Sequence, residues 1–227
     1  MEASRVNWRS RVRLVDEVAD ELRERIYAGH YPLGAKLLQE RLADDLQVSR
    51  TPLREALRVL ESEGLLHSEP GRGVRVIPAD VNKFLDAFEL REVIDGLAAR
   101  LASASPDANA RATLGEMIDR QVEALEPWTA SQYTMQNVAF HIAVLNLAGN
   151  EYVAGQAPIV RMTSQVFTPV ALLEPDRATE AVQQHRGIAA AIGAGDGKAA
   201  ERLARAHIRS TIIRMTKHTA DNPLTDG

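Results

Sequence analysis

Apolar residues recur at three- and four-residue intervals along most of this chain, and period-two alternation is confined to a short stretch around residues 65–77. Leu14, Val15, Val18, Leu22 and Ile26 define one face of a helix over about residues 12–28, ended by Gly29 and by Pro32 in the following loop. Residues 39–46 read as a short helix, and Gln47-Val48 as a tight turn into a second one whose apolar side is Leu53, Leu57 and Leu60. Two short strands, Leu65 to Glu69 and Val74 to Ile77, flank the turn-forming run Pro70-Gly71-Arg72-Gly73. Beyond Asp80 every long segment has helical period, which predicts helices over about 80–104, 108–125, 129–148, 151–172, 177–193 and 197–218. Their breaks fall at Pro106, Pro127, Gly149-Asn150, Pro175 and residues 193–196, with Asp196 as N-cap of the last and with Pro158 and Pro169 expected to kink or shorten the fourth. The expected fold is mainly α. A winged helix-turn-helix with a small β wing occupies residues 1–78, an all-α bundle residues 79–220, and a flexible tail residues 221–227.

The chemistry of the second short helix differs on its two sides. Arg50, Arg54 and Arg58 follow one another at four-residue spacing opposite the leucines. Ser49 or Thr51 would cap the helix, and Pro52 is tolerated in its first turn, where amide donors are unpaired anyway. A helix that enters a major groove end first needs such a terminus, and arginine's planar fork matches both guanine O6/N7 and phosphate oxygens. Arginines at this spacing are by themselves only a solvated face, and a Gly-rich hairpin only a hairpin. In this order, with Arg72 and Gly73 at the tip of the wing, they predict a DNA-binding unit whose contacts are Ser49, Arg50, Thr51, Arg54, Arg58, Arg72 and Gly73.

Composition modifies that picture. At 227 residues and 45% hydrophobic content the chain can bury a core in each of two domains. It has no cysteine, which excludes disulfides and thiolate metal sites. Residues 1–78 hold equal numbers of acidic and basic side chains, so DNA affinity has to come from where the charges sit. Arg5, Arg9, Arg11 and Arg13 read as a basic arm ahead of the first helix, open to phosphate contact or simply solvated. No run is long enough for a membrane span and no apolar signal core opens the chain, so the expected location is the cytoplasm.

Three helices of the second domain carry a histidine on the stripe that should face inward. Asn137, His141, Val144 and Ala148 share one face, Ala181, His185, Ile188 and Ile192 another, and Leu203, His207 and Ser210 a third. A single inward histidine is ordinarily a core residue bonded to a carbonyl or hydroxyl. Three from separate helices, one in an Asn-x-x-x-His pair, predict convergence on one divalent metal. Ligation by nitrogen without sulfur suits Zn(II) or Ni(II).

The run Ser-Arg-Thr-Pro-Leu-Arg-Glu-Ala-Leu-Arg-x-Leu-x-x-Glu-Gly-Leu-Leu, from Ser49 to Leu66, resembles the signature of GntR-family transcriptional regulators. The remainder is similar to the helical ligand-sensing FCD domain of the FadR-type branch, so the resemblance covers about residues 10 to 218. It implies a homodimer that binds double-stranded operator DNA, a repressor in the usual arrangement, with no enzymatic activity. It also implies a metal at His141, His185 and His207, with Phe140-His141 matching the family's Phe-His. Asn137 stands where Asp is commoner, and its neutral amide oxygen is a weaker fourth ligand. A small carboxylate effector would bind at the metal's open position, and Arg91 is the candidate to reach its other end, against the plainer role of a surface ion pair with a glutamate. Glu40 departs from relatives that use Arg near that position, so no DNA contact is assigned to it. Two other readings remain open: a metal-dependent hydrolase, which lacks a His-Glu-x-x-His general-base motif here, and a helical interaction module that uses its winged helix for protein contacts.

Overall fold

The computed structural model describes residues 8–69, 73–78, 80–105, 109–168 and 173–221. It is mostly helical, with one small antiparallel sheet, and divides into two compact units, Met1–Ala79 and Asp80–Gly227.

The first unit begins with α1 (Trp8–Tyr27), followed by β1 (Lys36–Leu37), α2 (Gln39–Asp45), α3 (Arg50–Ser62), β2 (Leu66–Glu69) and β3 (Gly73–Val76). Helix α1 starts four residues before the expected boundary, so Arg9, Arg11 and Arg13 belong to it rather than to an arm ahead of it; Arg5 lies outside the described residues. The segment lacks Gly and Pro and is rich in arginine, a good helix former, and Arg13 Nε pairs with Glu17 Oε1 at 2.9 Å one turn on. Val15, Val18, Ala19, Leu22 and Ile26 are buried, while Leu14, counted on the same face, is exposed. They pack on Leu53, Ala56, Leu57 and Leu60 of α3.

Gln47, with φ 53°, makes the sharp turn between α2 and α3. Ser49 occupies the cap position of α3 with extended backbone, but its side chain makes no capping hydrogen bond, and Thr51 is already inside the helix; neither caps as expected. The sheet runs in the order β1-β3-β2, with Leu66 opposite Val76 and Glu69 opposite Gly73. Alternation turns Leu37, Leu66, Val74 and Val76 inward. Strand β1 was not expected, because two residues carry no period.

The second unit comprises α4 (Val81–Ala102), α5 (Ala110–Glu123), α6 (Ala130–Leu147), α7 (Glu151–Ala154), α8 (Ala157–Arg161), a π-helical turn (Met162–Val166), α9 (Pro175–Gly193) and α10 (Gly197–Asp221). Three boundaries differ from the periodic reading. The helix expected over 151–172, with Pro158 and Pro169 kinking or shortening it, is broken into α7, α8 and the π turn: Pro158 belongs to the first turn of α8, where its missing amide costs nothing, and residues 169–172 lie outside the described residues. For the same reason Pro175 starts α9 instead of marking a break. Helix α10 runs on to Asp221, three residues past its expected end at 218 and into the expected tail, whose remainder, residues 222–227, lies outside the described residues. Asp80, Asn150 and Asp196 cap the helices that follow them, Asp196 Oδ1 accepting from the Ala199 amide at 3.0 Å. Helix α4 lies close along α10: a Cβ at Gly96 would stand 2.7 Å from Arg205 Cγ. The core of this unit is built from Ala98, Ala99, Leu114, Phe140, Leu145, Val182 and Ile188, and the histidine-bearing helices α6, α9 and α10 all border it.

Candidate nucleic-acid interface and metal centre

Each unit presents one chemically distinctive site. In the first, Arg50, Arg54 and Arg58 are exposed along one side of α3 while Pro52, Leu53, Ala56, Leu57 and Leu60 are buried on the other. The amphipathic split therefore holds residue by residue. Ser49 and Thr51 are exposed at the same helix end. Arg50 is not free there: its Nη2 donates to Glu40 Oε1 of α2 at 2.8 Å. Gly73 opens β3 with φ 92°, in the left-handed region that suits glycine, and the Lys36 side chain passes beside it. Arg72 lies outside the described residues. Two further exposed cations of this unit, Lys36 and Arg41, carry no sequence signal and were not anticipated.

In the second unit His141, His185 and His207 come together from α6, α9 and α10, all buried, with one ligand atom from each within 4.8 Å of the others. Their orientation follows from what holds the opposite ring nitrogen. His185 Nδ1 donates to Gln121 Oε1 at 2.7 Å and His207 Nδ1 to Gln184 Oε1 at 2.6 Å. His141 Nδ1 lies 2.9 Å from Asp95 Oδ2. An amide or carboxylate oxygen can only accept, so Nδ1 carries the hydrogen in each ring and Nε2 keeps its lone pair. The Nε2 atoms of His185 and His207 then face one another at 3.2 Å, and His141 Nε2 is buried without a hydrogen-bond partner among the described residues. Three inward lone pairs, each backed by an oxygen on the far nitrogen, are the donor set of a histidine metal site with its outer hydrogen bonds in place. These residues fit the expected ion. Phe140 stacks on His185 with ring centroids 4.3 Å apart and closes one side.

The electrostatics keep the imidazoles neutral. Burial pushes His185 and His207 well below the ordinary histidine value, and neighbouring histidines and Arg91 add to it. Burial and Arg91 also lower His141, against the opposing pull of Asp95. For Asp95 burial alone would raise the carboxyl, but Arg91 and His141 outweigh it and hold it below its usual range.

Arg91 is buried on α4, which removes the surface ion pair with a glutamate as its role. Its Nη1 donates to Thr163 Oγ1 at 2.9 Å and to Ser164 Oγ at 2.7 Å, both on the π turn, and its Nε lies 3.4 Å from Asp95 Oδ2. Nη2 is buried without a hydrogen-bond partner among the described residues. Arg91, Asn137, His141, Ser164 and His207 line one cavity of about 80 Å³, together with Tyr133, Thr211 and Arg214. At roughly 15 Å³ per water-sized group, that is room for a small molecule of a few heavy atoms. Asn137 is thus on the wall shared by His141 and His207, and His185 is not part of that lining.

Sequence reasoning missed Asp95, Gln121 and Gln184. Asp95 and Gln121 are polar residues on otherwise inward stripes, at i+4 from Arg91 and at i+7 from Leu114, the same signal that singled out the histidines. Gln184, next to His185 and half-buried, has no such mark.

A winged helix-turn-helix with an exposed arginine face, followed in the chain by a helical unit whose cavity is lined by Arg91, Asn137, His141 and His207, defines a DNA-binding regulator with a second, helical module. Residues 14–76 match the bacterial regulatory proteins of the gntR family, and residues 86–210 match the FCD domain. The chain belongs to the GntR family of transcriptional regulators, in the branch with an FCD domain, and regulators of this type bind operator DNA. It is 29% identical over 215 residues to the probable D-xylose utilization operon transcriptional repressor of Paenarthrobacter nicotinovorans, covering 92% of each chain. It is 29% identical over 147 residues to the gluconate operon transcriptional repressor of Bacillus licheniformis, covering 64% of this chain and 60% of that one. Among solved structures, E. coli McbR/YncC has the same fold, with a TM-score of 0.78 and 22% identity over 90% of this chain and 98% of that one. Among the described residues no helix is long and apolar enough to cross a membrane.

Proposed function

We propose that this regulator is a homodimeric repressor that senses a small organic acid in its helical unit through a divalent metal, Zn(II) or Ni(II). The observation that carries the reading is the meeting, in one cavity, of inward imidazole lone pairs and the unpaired Nη2 of a buried arginine. His141, His185 and His207 would hold the ion, with Asn137 as a weaker oxygen donor. A bound dication supplies Lewis acidity and a strong attraction for an anionic oxygen.

The chain's own residues do the rest. Asp95, Gln121 and Gln184 fix the imidazole tautomers, so that no proton has to leave before an ion binds. Arg91, anchored by Thr163 and Ser164, offers its remaining donor to a carboxylate oxygen, and Arg214 adds positive charge at the same cavity. Because Arg91 joins α4 to the π turn, an anion on its free nitrogen would bear on both elements.

At the DNA, Ser49, Arg50, Thr51, Arg54, Arg58, Arg72 and Gly73 contact the operator. Each recognition helix reads a few base pairs, so a dimer doubles the site into a short near-palindrome. A thermal-shift screen of small carboxylic acids against zinc-loaded protein tests the sensing role. Acids that raise the melting temperature only with metal present support it, and no response from loaded protein to any acid counts against it.

A further inference from the structure

The pair formed by Arg50 and Glu40 is out of place on a surface meant for phosphate. Glu40 is the second residue of α2 and Arg50 the first of α3, and their side chains are 77% and 71% exposed. An ion pair this open contributes little to folding, so stability does not account for it. A carboxylate here also repels the DNA backbone in a unit that has no net positive charge to spare. What the contact does is occupy one guanidinium nitrogen: Nη2 of Arg50 is held by Glu40 Oε1 at 2.8 Å, while its remaining N–H groups make no hydrogen bond among the described residues. Glu40 in turn keeps Oε2 and spare lone pairs that can only accept. The two side chains therefore present, side by side at the end of the recognition helix, a set of donors and a set of acceptors.

We propose that Glu40 is a specificity-determining residue that reads a cytosine amino group in the major groove, in the base step next to a guanine read by Arg50; this rests on α3 being the recognition helix. Guanine offers O6 and N7 to an arginine, and the cytosine N4 amino group is the donor a carboxylate accepts from. A thymine at Glu40's position sets its O4 acceptor against the carboxylate, so the same residue penalises the wrong base. The ion pair holds Arg50 in place before DNA arrives and restricts the rotamers it would otherwise lose on binding.

The test is selection from a randomised duplex library with the full chain, comparing wild type, Glu40→Ala and Glu40→Gln. Glu40 is exposed, and unchanged melting temperatures would show that the variants fold. The wild type is expected to enrich cytosine at one symmetric position per half-site, by about tenfold over the other bases. Glu40→Ala flattens that position alone and binds unrelated duplex several-fold tighter at low salt. Glu40→Gln moves the preference toward adenine, the base whose N6 and N7 match an amide. Identical base profiles for wild type and Glu40→Ala would overturn the assignment and leave the recognition helix standing, as would a changed position at which the wild type prefers a base other than cytosine. A wild type that enriches no sequence removes the recognition-helix reading itself and this assignment with it.

Discussion

Replacing Gln121 by leucine separates a metal site from a cluster of ordinary core histidines. Gln121 is fully buried, and its Oε1 accepts the His185 Nδ1 hydrogen at 2.7 Å. Leucine nearly preserves the volume but leaves that N–H buried and unpaired, which costs about 1–3 kcal/mol of stability whatever the cluster is for. The second consequence belongs only to a metal site. Without its acceptor, His185 is free to turn or to adopt the other tautomer, and loss of such an outer hydrogen bond lowers metal affinity by about 10–100-fold, or roughly 1.4–2.7 kcal/mol. Competition against a chelator of known zinc affinity measures it directly. Gln121→Glu keeps the acceptor and adds a charge, so it should match or exceed the wild-type affinity. Zinc binding by Gln121→Leu as tight as by wild type would refute the assignment of His185 as a ligand. Wild-type protein that holds no zinc after refolding with the ion and dialysis would refute the site altogether.

Further expectations concern each site separately. Arg54→Ala, which removes an exposed guanidinium from the middle of the recognition face, should weaken operator binding by about 1–3 kcal/mol in fluorescence anisotropy at fixed salt if it contacts a base, and unchanged affinity would remove it from the interface. Metal-free protein should lose stability below neutrality. His141, His185 and His207 are all depressed in the folded state, so unfolding takes up protons once the pH falls beneath the unfolded histidine value of about 6.5. Their contribution is fully present above that value and is lost as the pH drops, by up to about 4 kcal/mol per pH unit for the three. A melting temperature of chelator-treated protein that stays flat from pH 7.5 to 5 would contradict it. Arg91→Met should abolish the acid-induced rise in melting temperature while elemental analysis still finds metal, because it removes the unpaired cavity donor and touches no imidazole nitrogen.

The recognition helix was legible because its requirement is repetitive: leucines and arginines at fixed spacing must fall on opposite sides of α3, and they do. The convergence of His141, His185 and His207 was legible for the same reason, since polar residues on apolar stripes have to meet partners. Period says little about short or interrupted elements. It gave no sign of β1, and it ran α7, α8 and the π turn together, with only the prolines to mark a kink or an early end. Nor could it show that Arg91 turns inward, because its fate depends on Thr163 and Ser164, which are more than seventy residues away in the chain. Glu40 was visible as a departure from a family pattern, but its partner was not.

We propose that acid binding at the histidine centre is linked to operator binding. Calorimetric titration of the acid found by thermal shift into zinc-loaded protein, free and saturated with operator duplex, tests it most directly. Linkage requires the acid to bind the two forms with different affinity, and a repressor released by its effector should bind it more weakly on DNA, by about 1–3 kcal/mol. Equal affinities in the two titrations would mean that the helical unit does not control DNA binding through this ligand.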